Sequence, residues 1–309
     1  MSNLQKIINY LYRHPKSKYK TIKRFGGYWR YRQMLKGQME MQDASISLPP
    51  IISQQDGLPI YFLTGKKYLY QTLFCAHSLT KVTKEKIQFN LVDDGSFDEK
   101  FIQQVNLQMP GVKIITKADI EINLQNRLPK MEYPYLHHKR VVYPHIKKLT
   151  DIHTIDGNPH KLVLDSDMLF WNEPIEIINW LKQPRGCLYM LDCEESYGYD
   201  RSLMQALCGF QIPELMNVGA FGLNSSIINW DNLEQWSKKL EEEQGASYFL
   251  EQALSAMLIA NEENTILNNE EYIVNPSGDI NNLAEDKLHH YVDLSKQFYF
   301  ETAWKKFII

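Results

Sequence analysis

The feature of this 309-residue chain that most constrains its fold is the alternation of short apolar runs with helix-like segments between residues 59 and 164. Such alternation is typical of a parallel sheet whose strands are joined by helices. The predicted strands are Pro59–Thr64, Ile87–Val92, Val112–Thr116 and Lys161–Leu164, and the predicted helices are Tyr68–Leu79, Phe97–Leu107 and His138–Thr150. The pattern therefore predicts an α/β fold with a mainly parallel central sheet flanked by helices.

The second half of the chain alternates less regularly, and it predicts a continuation of the same sheet. The predicted strands there are Cys187–Leu191, Asn217–Leu223, Tyr272–Val274 and His290–Val292, and the predicted helices are Asp231–Glu242 and Tyr248–Ala260. Pro49-Pro50, followed by polar residues, indicates a linker. We therefore expect an N-terminal extension with its linker over residues 1–55 and one domain over residues 56–309.

Charge is divided unevenly between these two parts. Residues 1–36 contain ten of the 34 lysines and arginines and no acidic residue, which leaves a formal charge of −13 on the remainder. The acidic body argues against nucleic acid as a partner, because it would not neutralise a phosphate backbone. Residues 1–45 form the basic leader, which is rich in aromatic residues. The apolar spacing over Leu4–Leu11 predicts a short helix. The alternatives are a solvated tail, a structural helix packed on the acidic body, RNA binding, and an anionic membrane surface bound through residues 1–45. The composition favours the membrane.

Polar residues follow three of the predicted strands, and ligands bind at the carboxyl ends of parallel strands. Asp165-Ser166-Asp167 follows the fourth strand and stands between apolar residues on both sides, unlike a solvated acidic turn. Two adjacent carboxylates repel each other unless a cation lies between them. Asp165 and Asp167 are therefore predicted ligands of Mn²⁺ or Mg²⁺ bridging to a diphosphate, and Ser166 is assigned to the same diphosphate-containing ligand.

The ends of the first two strands supply further candidates for binding a nucleotide. Asp93 or Asp94 could accept a hydrogen bond from a nucleobase or a ribose, although an ordinary Asp-Gly turn explains the same residues. Thr64-Gly65 could let the backbone approach the base, and an ordinary turn at the strand end is the alternative.

Lys161–Phe170 (KLVLDSDMLF) resembles the metal-binding Asp-x-Asp segment of GT-A glycosyltransferases. Four further segments, in the same order, are similar to glycosyltransferase family 8, the retaining glycogenin-like and bacterial galactosyltransferase-like enzymes. These segments are Lys139-Arg140, Met216–Asn224 with its Asn-x-Gly, Leu250–Leu254, and His290-Tyr291 followed by Lys296. The chain also resembles cyanobacterial glycosyltransferase-like proteins.

The resemblance implies roles for particular residues. It implies donor contacts for Arg140, Asn217 and Gly219, and catalytic roles for Glu251 and Gln252. It favours His290 over the adjacent His289 as a third metal ligand, since a neutral imidazole suits Mn²⁺. Lys296 would then stabilise the diphosphate leaving group, with an exposed surface lysine as the alternative.

Three departures from the family leave the stereochemistry open. The Pro-Trp that should follow Lys296 is absent, Glu251 replaces an aspartate, and residues 91–96 look more like the nucleotide segment of the inverting family 2. The resemblance thus implies metal-dependent transfer of a sugar from a UDP-sugar to a hydroxyl of a glycan, a lipid-linked or a protein acceptor, with retention. Inversion with Glu251 as the base is the alternative.

Two other function classes remain open: a module that binds nucleotide sugars without transfer, and a nucleotidyltransferase. No apolar stretch approaches eighteen residues and no secretion signal is evident. We therefore expect a cytoplasmic protein, with a peripheral position on a membrane as the variant that the basic leader suggests.

Overall fold

The computed structural model describes residues 14–278 and 285–308. The predicted helix over Leu4–Leu11 lies outside them. The helices are α1 (His14–Arg24), α2 (Tyr28–Ser45), α3 (Leu69–Val82), α4 (Glu99–Gln108), α5 (Lys117–Arg127), α6 (Pro134–Val142), α7 (Lys147–His153), α8 (Ile175–Lys182), α9 (Arg201–Cys208), α10 (Trp230–Gln244), α11 (Leu250–Leu258) and α12 (Ser295–Glu301). The strands are β1 (Leu58–Thr64), β2 (Ile87–Asp93), β3 (Lys113–Ile115), β4 (His160–Leu164), β5 (Met168–Phe170), β6 (Cys187–Leu191), β7 (Met216–Asn224), β8 (Asn264–Leu267), β9 (Tyr272–Val274) and β10 (Leu288–His290).

Seven strands form the central sheet, in the order β3-β2-β1-β4-β7-β6-β8. The pairs β1/β2, β2/β3, β1/β4 and β6/β8 are parallel, and β7 is antiparallel to both neighbours. The chain runs outward from β1 to β3 and then returns to place β4 on the other side of β1. A crevice opens at such a reversal, beyond the carboxyl ends of the strands. The prediction of a mainly parallel α/β sheet is confirmed.

The sheet is covered on both faces, as its alternating side chains require. On β1, Ile60 and Phe62 belong to one apolar cluster and Tyr61 to the other. Burial on both faces explains why the strands are almost continuously apolar.

The second half corrects the expectation of a single continuous sheet. The predicted strand Tyr272–Val274 is β9, and the strand predicted at His290–Val292 lies two residues earlier, as β10. These strands join β5 in a separate three-stranded sheet, in which β10 is antiparallel to β5 and parallel to β9. The register pairs His290 with Met168, directly after the Asp-x-Asp segment. The small sheet therefore brings the carboxy-terminal region to the end of β4.

The helix predicted over His138–Thr150 is broken into α6, a 3₁₀ turn and α7. Pro144 begins the turn, because proline lacks the N–H that a continuous helix needs and restricts the residue before it. Tyr143 accordingly leaves the helical region, with φ −140° and ψ 79°. Because of the break, Arg140 on α6 and Lys148 on α7 do not lie on one continuous helix.

The basic leader is packed on the body along α2. Met34 and Met41 are buried in a third apolar cluster, which includes Phe300 of α12 and Trp304. At Gly37 the two helices are so close that an added Cβ would lie 2.2 Å from the carbonyl oxygen of Phe300. The inner face of α2 is therefore part of the folded core.

We predict that Gly37→Ala destabilises the protein by about 1–3 kcal/mol, because the added methyl group overpacks the α2–α12 contact. Chemical denaturation measures the change in the free energy of unfolding. Met39→Ala on the exposed face of α2 is the control and should have little effect. In a helix without this contact, replacing glycine with alanine would instead stabilise by about 1 kcal/mol, so an increase in stability would contradict the packing.

Candidate active site

The Asp-x-Asp segment forms the connection between β4 and β5, at the point where the order of the central sheet reverses. A cavity of about 740 Å³ opens there, and Asp165, Ser166 and Asp167 line it. The backbone N–H of Asp165 donates to the carbonyl of Gly219 at 2.7 Å, which ties the segment to β7. The turn therefore presents both carboxylates to a cavity of a size common for small-molecule sites.

His290 completes a cluster of three groups with the ligand chemistry of a divalent cation. One ligand atom each from Asp165, Asp167 and His290 lies within 4.8 Å of the others. The Nε2 atom of His290 lies 3.6 Å from Oδ2 of Asp165 and 3.4 Å from Oδ1 of Asp167. This buried nitrogen has no hydrogen-bond partner among the described residues. An unpartnered buried nitrogen that faces two carboxylate oxygens fits a cation held between them.

Asn217 fixes the orientation of His290. Its Nδ2 donates to Asp192 at 3.0 Å, and its Oδ1 accepts the N–H of Gly219 at 2.9 Å. The same oxygen lies 3.1 Å from Nδ1 of His290, so Nδ1 carries the proton and Nε2 keeps a free lone pair. This is the usual support of a metal-binding histidine. Asp192, which sequence reasoning missed, anchors the chain of contacts.

Gly219 is required because the imidazole of His290 lies against its backbone. A Cβ at this position would stand 2.4 Å from the ring. The Asn-x-Gly segment, predicted to contact the donor, therefore also shapes the site: Asn217 orients the histidine and Gly219 makes room for it. Both residues line the cavity.

Two lysines hold the outer oxygens of the paired aspartates. Lys148 Nζ lies 2.6 Å from Oδ1 of Asp165, and Lys296 Nζ lies 3.4 Å from Oδ2 of Asp167. Burial opposes ionisation of Asp167, but the positive charge of Lys296 helps to lower the pKa of this carboxyl below its usual range. Both aspartates thus point one oxygen at a lysine and the other at His290.

Lys148 is a buried cation between two acids. Burial by itself would lower the pKa of Lys148, but the carboxylates of Asp165 and Glu251 raise it above its usual value. Glu251 Oε2 lies 3.7 Å from Lys148 Nζ, and burial raises the pKa of Glu251 to about 7 although the lysine opposes the shift. Glu251 and Gln252 both line the cavity, and Gln252 lies at hydrogen-bond distance from Asp192.

The prediction that Arg140 contacts the donor is not supported by its position. Arg140 does not line the cavity and donates two hydrogen bonds to Asp151, with Glu121 as a further partner. Lys148, eight residues further along, occupies the site instead. Lys148 was not among the predicted site residues, because the sequence pattern was interpreted as one unbroken helix. Pro144 was the residue that indicated a break in that helix.

The predicted nucleotide residues at the ends of β1 and β2 divide into two groups. Asp94 lines the cavity, and Gly65 makes room for its carboxylate, since an added Cβ would lie 2.2 Å from it. Asp93 does not line the cavity: its Oδ1 accepts the N–H groups of Gly95 and Phe97, which is the turn alternative.

Thr64 also lies behind the cavity wall. Its hydroxyl is 2.7 Å from that of Thr72, which is 2.8 Å from the hydroxyl of Ser166. Thr64 therefore supports Ser166 from behind. Direct contact with a base at Thr64 is not supported by this position.

Aromatic rings form the wall near Glu251. The rings of Tyr143 and His145 are tilted against each other at 43°, and Tyr248 meets both His145 and Phe249 edge to face. The Tyr143 hydroxyl donates to the carbonyl of Tyr248 and lies 3.2 Å from the backbone nitrogen of Glu251. These contacts link the aromatic wall to the first turn of α11.

No family model matches the chain, and no curated protein matches it. Solved structures do. The chain is similar to the WbbM bifunctional glycosyltransferase in its apo form, with 13% sequence identity and a TM-score of 0.50 over 84% of this chain. It spans about half of that protein, 52%. It is also similar to the galactosyltransferase LgtC in complex with donor and acceptor sugar analogues, with 14% identity and a TM-score of 0.50 over 76% of this chain and 87% of that one.

At these identities the likeness shows the fold alone. The central sheet with its flanking helices matches the fold of glycosyltransferases of known structure. The predicted fold class is therefore confirmed: the chain has the GT-A fold.

Proposed function

We propose that the chain is a metal-dependent glycosyltransferase, similar to family 8, that transfers a sugar from a UDP-sugar to a hydroxyl acceptor with retention. Residues 56–309 would form its catalytic region. The observation that carries the proposal is the cluster of Asp165, Asp167 and His290, with its unpartnered nitrogen, at the reversal point of a GT-A sheet. The similar structures WbbM and LgtC are glycosyltransferases.

Asp165, Asp167 and His290 would hold Mn²⁺ or Mg²⁺. When bound there, the cation would supply positive charge to the donor diphosphate. Lys296 stands beside Asp167, where a second positive charge stabilises the leaving group as its negative charge grows. Ser166 and Asp94 line the same cavity and are the proposed polar contacts of the donor.

Glu251 and Gln252 are the proposed catalytic groups. In the retaining mechanism they stabilise positive charge on the sugar, and Lys148 holds Glu251 in place by their ion pair. A second candidate is inversion, with Glu251 as the base that deprotonates the acceptor. The burial of Glu251 at the cavity wall favours this candidate, since it raises the pKa of the carboxyl to about 7 and a base works best near the ambient pH.

A glycan is the acceptor that the cavity supports best. Tyr248 and Phe249 are partly exposed rings at the cavity wall, and Asp192 and Gln252 place polar groups nearby. Aromatic faces with a few polar groups are common in binding sites for amphipathic ligands. Lipid-linked and protein acceptors also offer a hydroxyl group to the transferred sugar. A transfer assay with each class of acceptor distinguishes them from a free glycan.

The direct test is incubation with a panel of nucleotide sugars and Mn²⁺, followed by analysis of both products. We expect release of UDP and a glycoside whose anomeric configuration, measured by NMR, equals that of the donor. Release of pyrophosphate would indicate a nucleotidyltransferase, and an inverted product would favour Glu251 as the base. Binding of a donor without any transfer to an acceptor or to water would leave only the binding module.

A second prediction concerns the metal. Asp167→Asn and His290→Ala should each weaken Mn²⁺-dependent binding of UDP by on the order of a hundredfold, since each removes a ligand. Calorimetric titration with UDP, with and without Mn²⁺, measures the effect. Asp156→Asn, at an exposed surface aspartate, is the control and should bind as the wild type does. Equal affinity in the wild type and both variants would remove these residues from the metal site.

We further propose that the leader binds an anionic membrane surface. Its outer side presents aromatic rings and cations, including Trp29, which is 78% exposed, and the exposed Lys18 and Lys20. Each lysine near an anionic surface contributes on the order of 1 kcal/mol. Among the described residues, no helix combines the length and hydropathy needed to span a bilayer.

We predict that the protein sediments with vesicles containing anionic lipid at low salt and is released at high salt, because ions screen exposed charges. Lys18→Gln/Lys20→Gln should weaken this binding by roughly thirtyfold, which corresponds to about 2 kcal/mol. Lys238→Gln/Lys239→Gln on α10 removes the same charge elsewhere and is the control. If the wild type does not sediment at low salt, the membrane proposal fails while the glycosyltransferase proposal stands.

A further inference from the structure

A short loop joins two of the proposed functional groups. His290 ends β10 and Lys296 lies in the first turn of α12, so only residues 291–295 separate them. Both ends of the loop contact Asp167: the N–H of Tyr291 donates to its carbonyl at 2.8 Å, and Lys296 Nζ lies 3.4 Å from its carboxylate. The conformation of this loop therefore sets the positions of His290 and Lys296 together.

Asp293 holds the middle of the loop in an uncommon backbone conformation. Its φ is 45°, in the left-handed region that residues other than glycine seldom adopt. The next turn depends on it, because the N–H of Lys296 donates to the carbonyl of Asp293 at 3.3 Å. Asn275, with φ 56°, supports the far side by accepting the N–H of Ser295. Such a conformation persists when neighbouring contacts hold it.

Arg24, the last residue of α1, supplies a contact from the leader. Its Nε donates to Oδ1 of Asp293 at 2.7 Å, and its Nη2 donates to Oδ2. The planar guanidinium thus binds both carboxylate oxygens, which fixes direction as well as distance. Arg24 and Asp293 both line the cavity.

The fold places Arg24 there by a tight reversal of the leader. Gly26 and Gly27 have φ values of 79° and 102°, and they turn the chain between α1 and α2. The inner face of α2 then packs on α12, the helix that carries Lys296. The leader consequently contacts the segment 293–301 twice, by an ion pair before Lys296 and by helix packing after it.

Resting on the proposed function, we propose that Arg24 is a positioning residue of the active site. By holding Asp293 in its left-handed conformation, it keeps His290 directed at the two aspartates and Lys296 directed at the diphosphate. The ion pair is exposed, with Arg24 59% and Asp293 36% accessible, and exposed pairs contribute little to global stability. Its effect is therefore on donor binding, on turnover and on local order of the loop.

The test is a double-mutant cycle with Arg24→Gln, Asp293→Asn and the combined variant. Asparagine also tolerates positive φ, so Asp293→Asn removes the charge without adding backbone strain. The control is Arg127→Gln, which removes an exposed arginine that donates two hydrogen bonds to Asp156 on another surface. Lys296→Ala gives the size of the effect when the leaving-group cation is lost entirely.

Three measurements are made on each variant of the full chain: the affinity for UDP with Mn²⁺, kcat and KM with the donor that the wild type turns over, and hydrogen exchange of residues 291–296 without ligand. We expect each single variant to lose on the order of tenfold in affinity or kcat, as groups behind metal ligands do. The combined variant should lose no more than either single one, because the two residues act as one unit. The loop amides should exchange faster in all three variants, while the melting temperature and the control stay near the wild type.

Two results would overturn the proposal. If Arg24→Gln impairs binding and Asp293→Asn does not, Arg24 contacts the substrate directly instead of acting through the loop. If loop exchange is unchanged in all variants, the ion pair does not hold Asp293. Because exchange is measured without ligand, it decides the positioning role even if the wild type binds no UDP, a result that would count against the proposed function alone.

Discussion

Two carboxylates held side by side at the end of β4 are the constraint around which the rest of the site is arranged. Asp165 and Asp167 repel each other, and a lysine beside one oxygen of each carboxylate offsets its charge. The other oxygen of each carboxylate faces the free lone pair on Nε2 of His290. The lysines come from opposite sides, Lys148 from α7 and Lys296 from α12. The inner oxygens and the free nitrogen are left directed at one point, which is where a cation would sit.

Electrostatic balance extends from this pair to the proposed catalytic groups. Lys148 is buried, and an unpaired ammonium group in that position would be costly. Asp165 and Glu251 offset the cost together, so one lysine couples the cluster of Asp165, Asp167 and His290 to the first turn of α11. Asn217 has the corresponding role for His290, since it joins the imidazole to Asp192 across β7. The charge of Lys148 is thus compensated by carboxylates from two different parts of the cavity wall, Asp165 and Glu251.

The leader has two different faces. Its inner face belongs to the core, since Met34, Gly37 and Met41 pack against the carboxy-terminal region that includes α12. Arg24, the last residue of α1, reaches the cavity. Its outer face keeps exposed cations and aromatic rings such as Trp29. Structural packing and membrane binding, which the composition presents as rivals, therefore concern opposite sides of the same segment.

The sequence by itself determined what depends on local pattern. Each strand predicted in the first half agrees with β1 to β4 to within one residue, and Asp165 and Asp167 lie at the predicted strand end. Apolar runs bounded by turn residues are enough for this, because strand burial and turn chemistry act over a few residues. For the later motifs, it was the resemblance to glycosyltransferase family 8 that brought His290, Lys296 and Glu251 into consideration.

Only the tertiary structure decided which distant side chains meet at that strand end. Pro144 broke a predicted helix, so Lys148 entered the cavity and Arg140 paired with Asp151. The pairing of β10 with β5 placed His290, and not His289, opposite the aspartates, since a shift of one residue reverses the direction of a side chain. Arg24 reached Asp293 across 269 positions because α2 packs on α12, a contact set by burial that no local pattern contains.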